Sequence, residues 1–278
     1  MQIAIVSGKG GAGKTIICLS LAYSLKSDVT VLDADVEEPD ISLLAQGTSY
    51  EETKVEVKVP VVDQQKCTSC RSCITVCKWN ALALVPNNKV LVFEDLCRSC
   101  TTCWKLCPSG AITVKEKVIG VIRHFTRRNV HFKTGILKVG EQFTAPIIWQ
   151  LKTGLVDSIV IIDCPPGAGQ NIYETLHKVD FCIIIVEPTR FGIFDFYRIY
   201  EVIKQMGIPA GIIVNKKRGS IENLKQELGL PVLLEIPFQK DYYSKLSPVR
   251  TLVDIDETYY KKFRELYMSI TAKNWKNI

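Results

Sequence analysis

"IAIVSGKGGAGKT", residues 3–15, decides the fold of this chain. Its first four residues are apolar, the pattern of a strand buried on both faces. "GKGGAGKT", Gly8 to Thr15, then satisfies G-x-x-x-x-G-K-[ST], and "KTIICLSLAYSLK" follows as a helix. Strand, glycine-rich turn and helix in that order make a phosphate-binding loop. Gly8, Gly10, Gly11 and Gly13, with Ala12 among them, let backbone N–H groups converge on phosphate oxygens at a helix N-terminus. Lys14 supplies a fixed cation for those oxygens, and Thr15 a hydroxyl for Mg2+. The expected ligands are ATP and Mg2+.

Outward from the loop the same alternation continues. "VTVLDAD" is a second strand, ending in carboxylates. Downstream come "SIVIIDCPPG", "FCIIIVEPT", "FGIFDFYRIYEVIKQMG", "AGIIVNKK", "IENLKQELG" and "PVLLEIPF". Continuous Val- and Ile-rich runs separated by helical patterns predict a parallel sheet covered by helices. The expected class is α/β, doubly wound, with a mostly parallel sheet.

The middle of the chain breaks this pattern. "CTSCRSCITVCKWNALAL" from Cys67 recurs thirty residues on as "CRSCTTCWKLCPSGAITV" from Cys97. Each run is C-x2-C-x2-C-x3-C, the spacing of bacterial two-cluster ferredoxins. Three cysteines of a run wrap one cubane and the fourth points toward the other, so the ligand sets cross. One set is Cys67, Cys70, Cys73 and Cys107; the other is Cys97, Cys100, Cys103 and Cys77. Zinc sites favour two separated C-x2-C pairs instead. The expected cofactors are therefore two [4Fe–4S] clusters in a small inserted α+β domain, too short to bury a core without such staples. That assigns residues 54–118 to the insert and 1–53 with 119–278 to a discontinuous ATPase domain. After the insert, "VIGVIRHFTRRNVHFKTGILKVG" reads as a hairpin and "TAPIIWQLKTGL" as a helix. Cys77 is followed by Lys78, whereas Cys107 is followed by Pro108.

Composition agrees with a globular chain: 278 residues, 47% hydrophobic and 23% charged. No apolar run reaches the ~18 residues of a membrane span, and the opening shows no cleavable signal. The expectation is a cytoplasmic protein, where reduced thiols serve as metal ligands. The formal charge of +6 falls to about +2 once two thiolate-ligated clusters of net charge about −2 are counted. Nucleic acid is accordingly not expected as a partner. The basic "RHFTRRNVHFK" reads as one solvated face of the hairpin. In the C-terminal segment Phe263, Leu266, Tyr267 and Ile270 share a face expected to pack on the chain's own sheet, so no membrane association is expected.

"GKGGAGKT", "DADVEEPD", the two cysteine runs and "DCPPG" together resemble the MinD/ParA/Mrp-superfamily P-loop ATPases that carry an inserted ferredoxin domain. The resemblance covers residues 1–53, 54–118 and 119 to about 270. It implies that Lys9 crosses a dimer interface to the partner's nucleotide, hence an ATP-dependent homodimer. It implies that Asp35, with Asp33 one pleat away, positions the attacking water. Asp163 would hold Mg2+ through water and Gly167 would move toward a γ-phosphate. Asn215 would read adenine, with Pro237 and Phe238 flanking the base. The implied activity is ATP hydrolysis linked to electron transfer with a redox protein. Two other functions fit the motifs: an iron–sulfur cluster carrier of the Mrp type, or a positioning switch with structural clusters. Mrp-type carriers usually present a C-terminal C-x2-C, and no cysteine follows Cys182 here.

Overall fold

The computed structural model describes residues 1–45, 49–155, 159–219, 221–222, 226, 228–241 and 250–272. The chain divides into two compact units. One comprises Met1–Glu52, Ile122–Ile136 and Ile147–Ile278; the other comprises Thr53–Val121 and Leu137–Pro146.

The first unit is built on the strands foreseen from their apolar runs: β1 (Gln2–Val6), β2 (Val29–Asp33), β7 (Val130–Leu137), β8 (Ile159–Asp163), β9 (Phe181–Val186), β10 (Ala210–Lys217) and β11 (Val232–Pro237). Between them come α1 (Lys14–Ser24), α2 (Ile41–Leu44), α5 (Ala145–Leu151), α6 (Gln170–Leu176) and α7 (Arg190–Gln205), and α8 (Leu252–Ile255) and α9 (Thr258–Ala272) close the unit. With β3 (Glu51–Val62) and β6 (Ile112–Arg127), both of which run on into the second unit, the sheet order is β11-β10-β9-β1-β8-β2-β7-β6-β3. The pairings from β11 through to β7 are parallel.

Parallel neighbours require coverage on both faces, and the burial shows it. Ile3, Ile5, Val29, Val31, Ile161, Ile183 and Ile213 join one core with Ile17 and Leu21 of α1, Leu252 of α8 and Phe263 and Leu266 of α9. The alternate residues Ala4, Val6, Leu32, Ile162, Ile184 and Ile212, on the opposite face, are equally buried. Tyr259, Phe263, Leu266 and Ile270 are the buried stripe of α9, and Tyr267 packs at its margin. Among the described residues no helix is long and apolar enough to cross a membrane. Four of the nine residues of "IENLKQELG", 223–225 and 227, lie outside the described residues.

The β6–β7 hairpin turns through Arg128 and Asn129, both at positive φ (49° and 60°). Two consecutive left-handed residues match the twist of the flanking strands, and Asn tolerates that conformation better than most side chains.

The second unit contains the rest of β3 and β6, the hairpin of β4 (Leu82–Val85) and β5 (Lys89–Val92), and two single-turn helices, α3 (Ser72–Thr75) and α4 (Thr102–Lys105). Two features differ from the sequence reading. The stretch 51–62, left there without an assigned element, is a long strand; Val55, Val57 and Val59 are buried and alternate with exposed Glu56 and Lys58. Residues 137–146 fall in this unit rather than with the ATPase portion. Their tie is local: Lys138 N–H donates to the Ile119 carbonyl at 2.9 Å, and Glu141 is paired with Lys117 at 2.8 Å.

Candidate functional site

The phosphate loop leaves the buried end of β1 and enters α1. Gly13 caps the helix at φ 96°, ψ 20°, where a side chain is strained. A Cβ there would also lie 2.5 Å from the Asn215 amide nitrogen. At Gly8 the constraint is space: a Cβ would lie 2.1 Å from the backbone oxygen of Asp195 in α7. Close approach thus requires glycine at both positions, and at Gly13 the left-handed turn requires it as well.

Three carboxyl groups sit at the C-terminal ends of the neighbouring strands β2 and β8, the place where ligands bind in open parallel sheets. Asp33 on β2 is the register neighbour of Asp163 on β8. Both are almost wholly buried, and one oxygen of each, Oδ1, has no hydrogen-bond partner. The other Asp33 oxygen accepts from Ile41 N–H at 3.0 Å. Burial, and then the Asp163 charge, push Asp33 well above the ordinary carboxyl range. Burial also pushes Asp163 up to about 6, against the pull of the Lys14 ammonium and a hydrogen bond from Thr15. Asp35, just beyond β2, likewise rises to about 6. Its causes are burial, opposed by Lys14, with the carboxylates of Glu38, Asp40 and Glu37 adding to it.

Lys14 is therefore the cation shared by Asp35 and Asp163, and it is itself buried. A buried carboxyl with an orphaned oxygen beside a threonine hydroxyl is the donor set a hard divalent cation takes. The residues fit Mg2+.

The remaining motif residues come to the same loop. Gly167, at φ 86°, donates its N–H to the Ser7 carbonyl at 3.0 Å. Asn215 donates from Nδ2 to the Ala12 carbonyl at 2.8 Å and accepts from Lys216 N–H at 2.9 Å. Its amide is thus engaged with the loop backbone. Pro237 ends β11; the half-exposed Phe238 ring carries the Arg218 guanidinium 3.9 Å from its centroid.

Glu187, Lys216 and Arg218 escaped the sequence reading. Glu187 receives Lys9 at 2.8 Å and also pairs with Lys216, whose ammonium donates to the Gly11 carbonyl at 2.8 Å. Burial pushes Glu187 up, but hydrogen bonds from Lys216 and Lys9 outweigh it and hold the carboxyl below its ordinary range. The signal was present: "IIIVEPT" ends a buried strand in a carboxylate, as "VTVLDAD" does.

The cysteine runs are organised separately, within the second unit. One cavity is lined by Cys67, Cys70, Cys73 and Cys107, with Thr68, Ser69, Arg71, Ser72 and Ser109 among its other walls. A second is lined by Cys77, Cys97, Cys100 and Cys103, with Lys58, Trp79 and Arg98. Each cavity draws three cysteines from one run and the last from the other. The backbone repeats with the sequence: Ser69 and Arg71 are left-handed, and so are Ser99 and Thr101 thirty residues later. Ordinary side chains adopt that conformation at a cost; here it folds each run tightly around its cavity.

Among the described residues no three His, Cys, Asp or Glu groups converge on one point as ligands of a lone ion would; the cysteines ring the two cavities instead. Ser72 Oγ lies 3.4 Å from Cys70 Sγ, and Ser99 N–H donates to Cys97 Sγ at 3.4 Å. Burial pushes the Cys103 thiol up to about 11. These donors fit two [4Fe–4S] clusters.

A family model described as the CobQ/CobB/MinD/ParA nucleotide binding domain matches residues 3–248. The chain belongs to that family. An uncharacterized protein of Methanocaldococcus jannaschii is 33% identical over 246 residues, 86% of this chain and 87% of that protein. The iron-sulfur cluster carrier protein of the same organism is 26% identical, over 98% of this chain and 84% of its own length. Among solved structures, the septum site-determining protein MinD complexed with Mg-ADP from Pyrococcus horikoshii superposes with a TM-score of 0.57. It is 18% identical and the match covers 100% of this chain and 99% of that one. The MinD-like α/β fold, with a mostly parallel central sheet, extends over this family member.

Proposed function

We propose that this family member is an ATP-hydrolysing homodimer that carries two [4Fe–4S] clusters and exchanges electrons with a redox protein under nucleotide control. The observation that carries the reading is the pair of cavities, each ringed by four cysteines drawn from both runs, in a nucleotide-binding chain. Bound clusters would supply one-electron storage.

The chain's own residues then have definable tasks. Loop amides and Lys14 hold the phosphates, and Thr15 with Asp163 would hold Mg2+. Asp35, titrating near 6, is ionised at neutral pH, and it orients the attacking water and accepts its proton. Lys9 is occupied by Glu187 in the single chain; exchanging that carboxylate for a partner chain's phosphate completes the dimer. Asn215 braces the loop that holds the nucleotide, and Phe238 offers a ring for the base.

Coupling is supported by the order of the chain. The second unit begins at Thr53, fewer than twenty residues after Asp35, so a rearrangement around the γ-phosphate has a short path to it. Linkage requires that a nucleotide which shifts a potential bind the two redox states unequally. Couplings of ~1–3 kcal/mol correspond to roughly 40–130 mV for one electron. Redox titration read by electron paramagnetic resonance, with and without a non-hydrolysable ATP analogue, measures this. Identical potentials and identical reduction rates in both states would refute nucleotide control.

The relative named an iron-sulfur cluster carrier favours a second reading, in which clusters are delivered to an apo-acceptor. Transfer of the clusters with loss of iron from this chain would establish it; electron exchange with iron retained would exclude it.

A further inference from the structure

The two cysteine cavities are alike in ligands and unlike in their surroundings. Position for position, Trp79 occupies the place in the first run that Ser109 occupies in the second, and Lys78 that of Pro108. Ser109 lies 3.7 Å from the Cys107 sulfur through its hydroxyl. Trp79 instead forms part of the wall of the other cavity while 49% of its surface remains in solvent. One indole thus reaches from the cavity beside Cys77, Cys97, Cys100 and Cys103 to the outside.

The ring is held in place. The Arg98 guanidinium stands 5.6 Å from the Trp79 ring centroid and 5.1 Å from that of Phe143, and it donates to the Asp95 carbonyl at 3.1 Å. Arg98 and Lys58 line the same cavity; Lys58 is exposed, and its N–H is pinned to Ser99 Oγ at 2.9 Å. Lys78, beside Cys77, is exposed as well. The acidic groups of the neighbourhood stand beside lysines. Glu94 is paired with Lys115 at 2.7 Å, and Asp95 reaches Lys117 at 2.9 Å, an ammonium it shares with Glu141. Glu56 stands between Lys54 and Lys58 on the exposed side of β3. The cavity of Cys67, Cys70, Cys73 and Cys107 has Arg71 but no aromatic side chain in its walls.

We infer that the face formed by Lys58, Lys78, Trp79 and Arg98 is the docking surface for an acidic electron-transfer protein, which exchanges electrons with the cluster of Cys77, Cys97, Cys100 and Cys103. This rests on the proposed electron-transfer reading and adds to it the cluster and the chemistry of the partner. An aromatic anchor with a cationic surround is the kind of patch that fixes orientation and speeds encounter with an oppositely charged surface. In the exchange one electron leaves the donor, whose cluster goes from the 1+ to the 2+ state. The receiving cluster goes from 2+ to 1+, and no bond or proton moves.

The test compares two one-electron donors by stopped-flow on anaerobically prepared protein whose iron content has been counted. One donor is a reduced acidic two-cluster ferredoxin; the other is the methyl viologen radical, a small cation. For the unaltered protein, the ferredoxin rate should fall steeply as salt rises. Lys58→Glu and Lys78→Glu should each lower the ferredoxin rate about tenfold and leave the viologen rate equal or higher. A changed cluster potential would move both rates in the same direction, so opposite movement identifies docking. Trp79→Ser, which copies the matching position of the other run, should slow the ferredoxin alone. Variants that keep their iron and react with ferredoxin as fast as the unaltered protein, or lose both rates alike, overturn the face. Failure of the unaltered, iron-loaded protein to accept an electron from either donor overturns the electron-transfer reading beneath it.

Discussion

Replacing Asp163 by asparagine should make the metal- and nucleotide-free protein more stable at pH 8 while abolishing the stabilisation by Mg-ADP. Asp163 is fully buried against Asp33 and titrates at about 6 rather than its ordinary 3.8. The folded state therefore holds its proton more tightly than the unfolded chain. Between about pH 4 and 6 the folded protein binds more protons, so its stability falls as pH rises through that window. About two pH units at ~1.36 kcal/mol per unit sets a ceiling of roughly 3 kcal/mol. Relaxation of Asp33, which shares the burial, brings the expected gain from Asp163→Asn to roughly 1–3 kcal/mol. The gain should be absent below about pH 4, grow through pH 6 and level off above about pH 7. Urea unfolding of both proteins at a series of pH values measures the difference directly, and the unchanged groups cancel. In the presence of Mg-ADP at about 100 times its dissociation constant the unaltered protein should gain ~2.7 kcal/mol, and the variant little. A variant no more stable than the parent at pH 8, or a difference independent of pH, would refute the argument that burial sets this carboxyl's titration.

Gly13→Ala should lose nucleotide binding in a calorimetric titration and destabilise the protein by about 1–3 kcal/mol, because the new methyl group meets the Asn215 amide at a left-handed backbone position. Cys107→Ala should remove the cluster grouped with Cys67, Cys70 and Cys73, and Cys77→Ala the one grouped with Cys97, Cys100 and Cys103. Each variant should keep about four of the eight irons, and the paramagnetic spectra of the two halves should differ. Loss of the cluster of the altered cysteine's own run would contradict the crossed arrangement.

Much of the molecule was legible because its signals are local. An apolar run long enough for a buried strand, a glycine turn and a helix state their own conformation within a dozen residues, and "IAIVSGKGGAGKT" does so. The alternation of Val55, Val57 and Val59 with Glu56 and Lys58 is equally local; β3 passed unassigned beside the stronger cysteine pattern. The left-handed conformations of Ser69, Arg71, Ser99 and Thr101 carried no such signal, since serine, arginine and threonine do not advertise positive φ as glycine does. Residues 137–146 group with the second unit through partners at Lys117 and Ile119, which their own pattern does not reveal.

By itself the sequence determined the family, the phosphate loop, the two cysteine runs and the class of sheet, all of which depend on residue type and short spacing. Tertiary structure alone decided which buried groups meet. Asn215 clamps Ala12 from 203 positions away, Glu187 gathers Lys9 and Lys216, and Asp33 and Asp163 become neighbours through strand register. The reason is that a carboxyl's titration and a lysine's freedom are set by burial and by charges a few ångströms off, and those distances exist only once the parallel strands have paired.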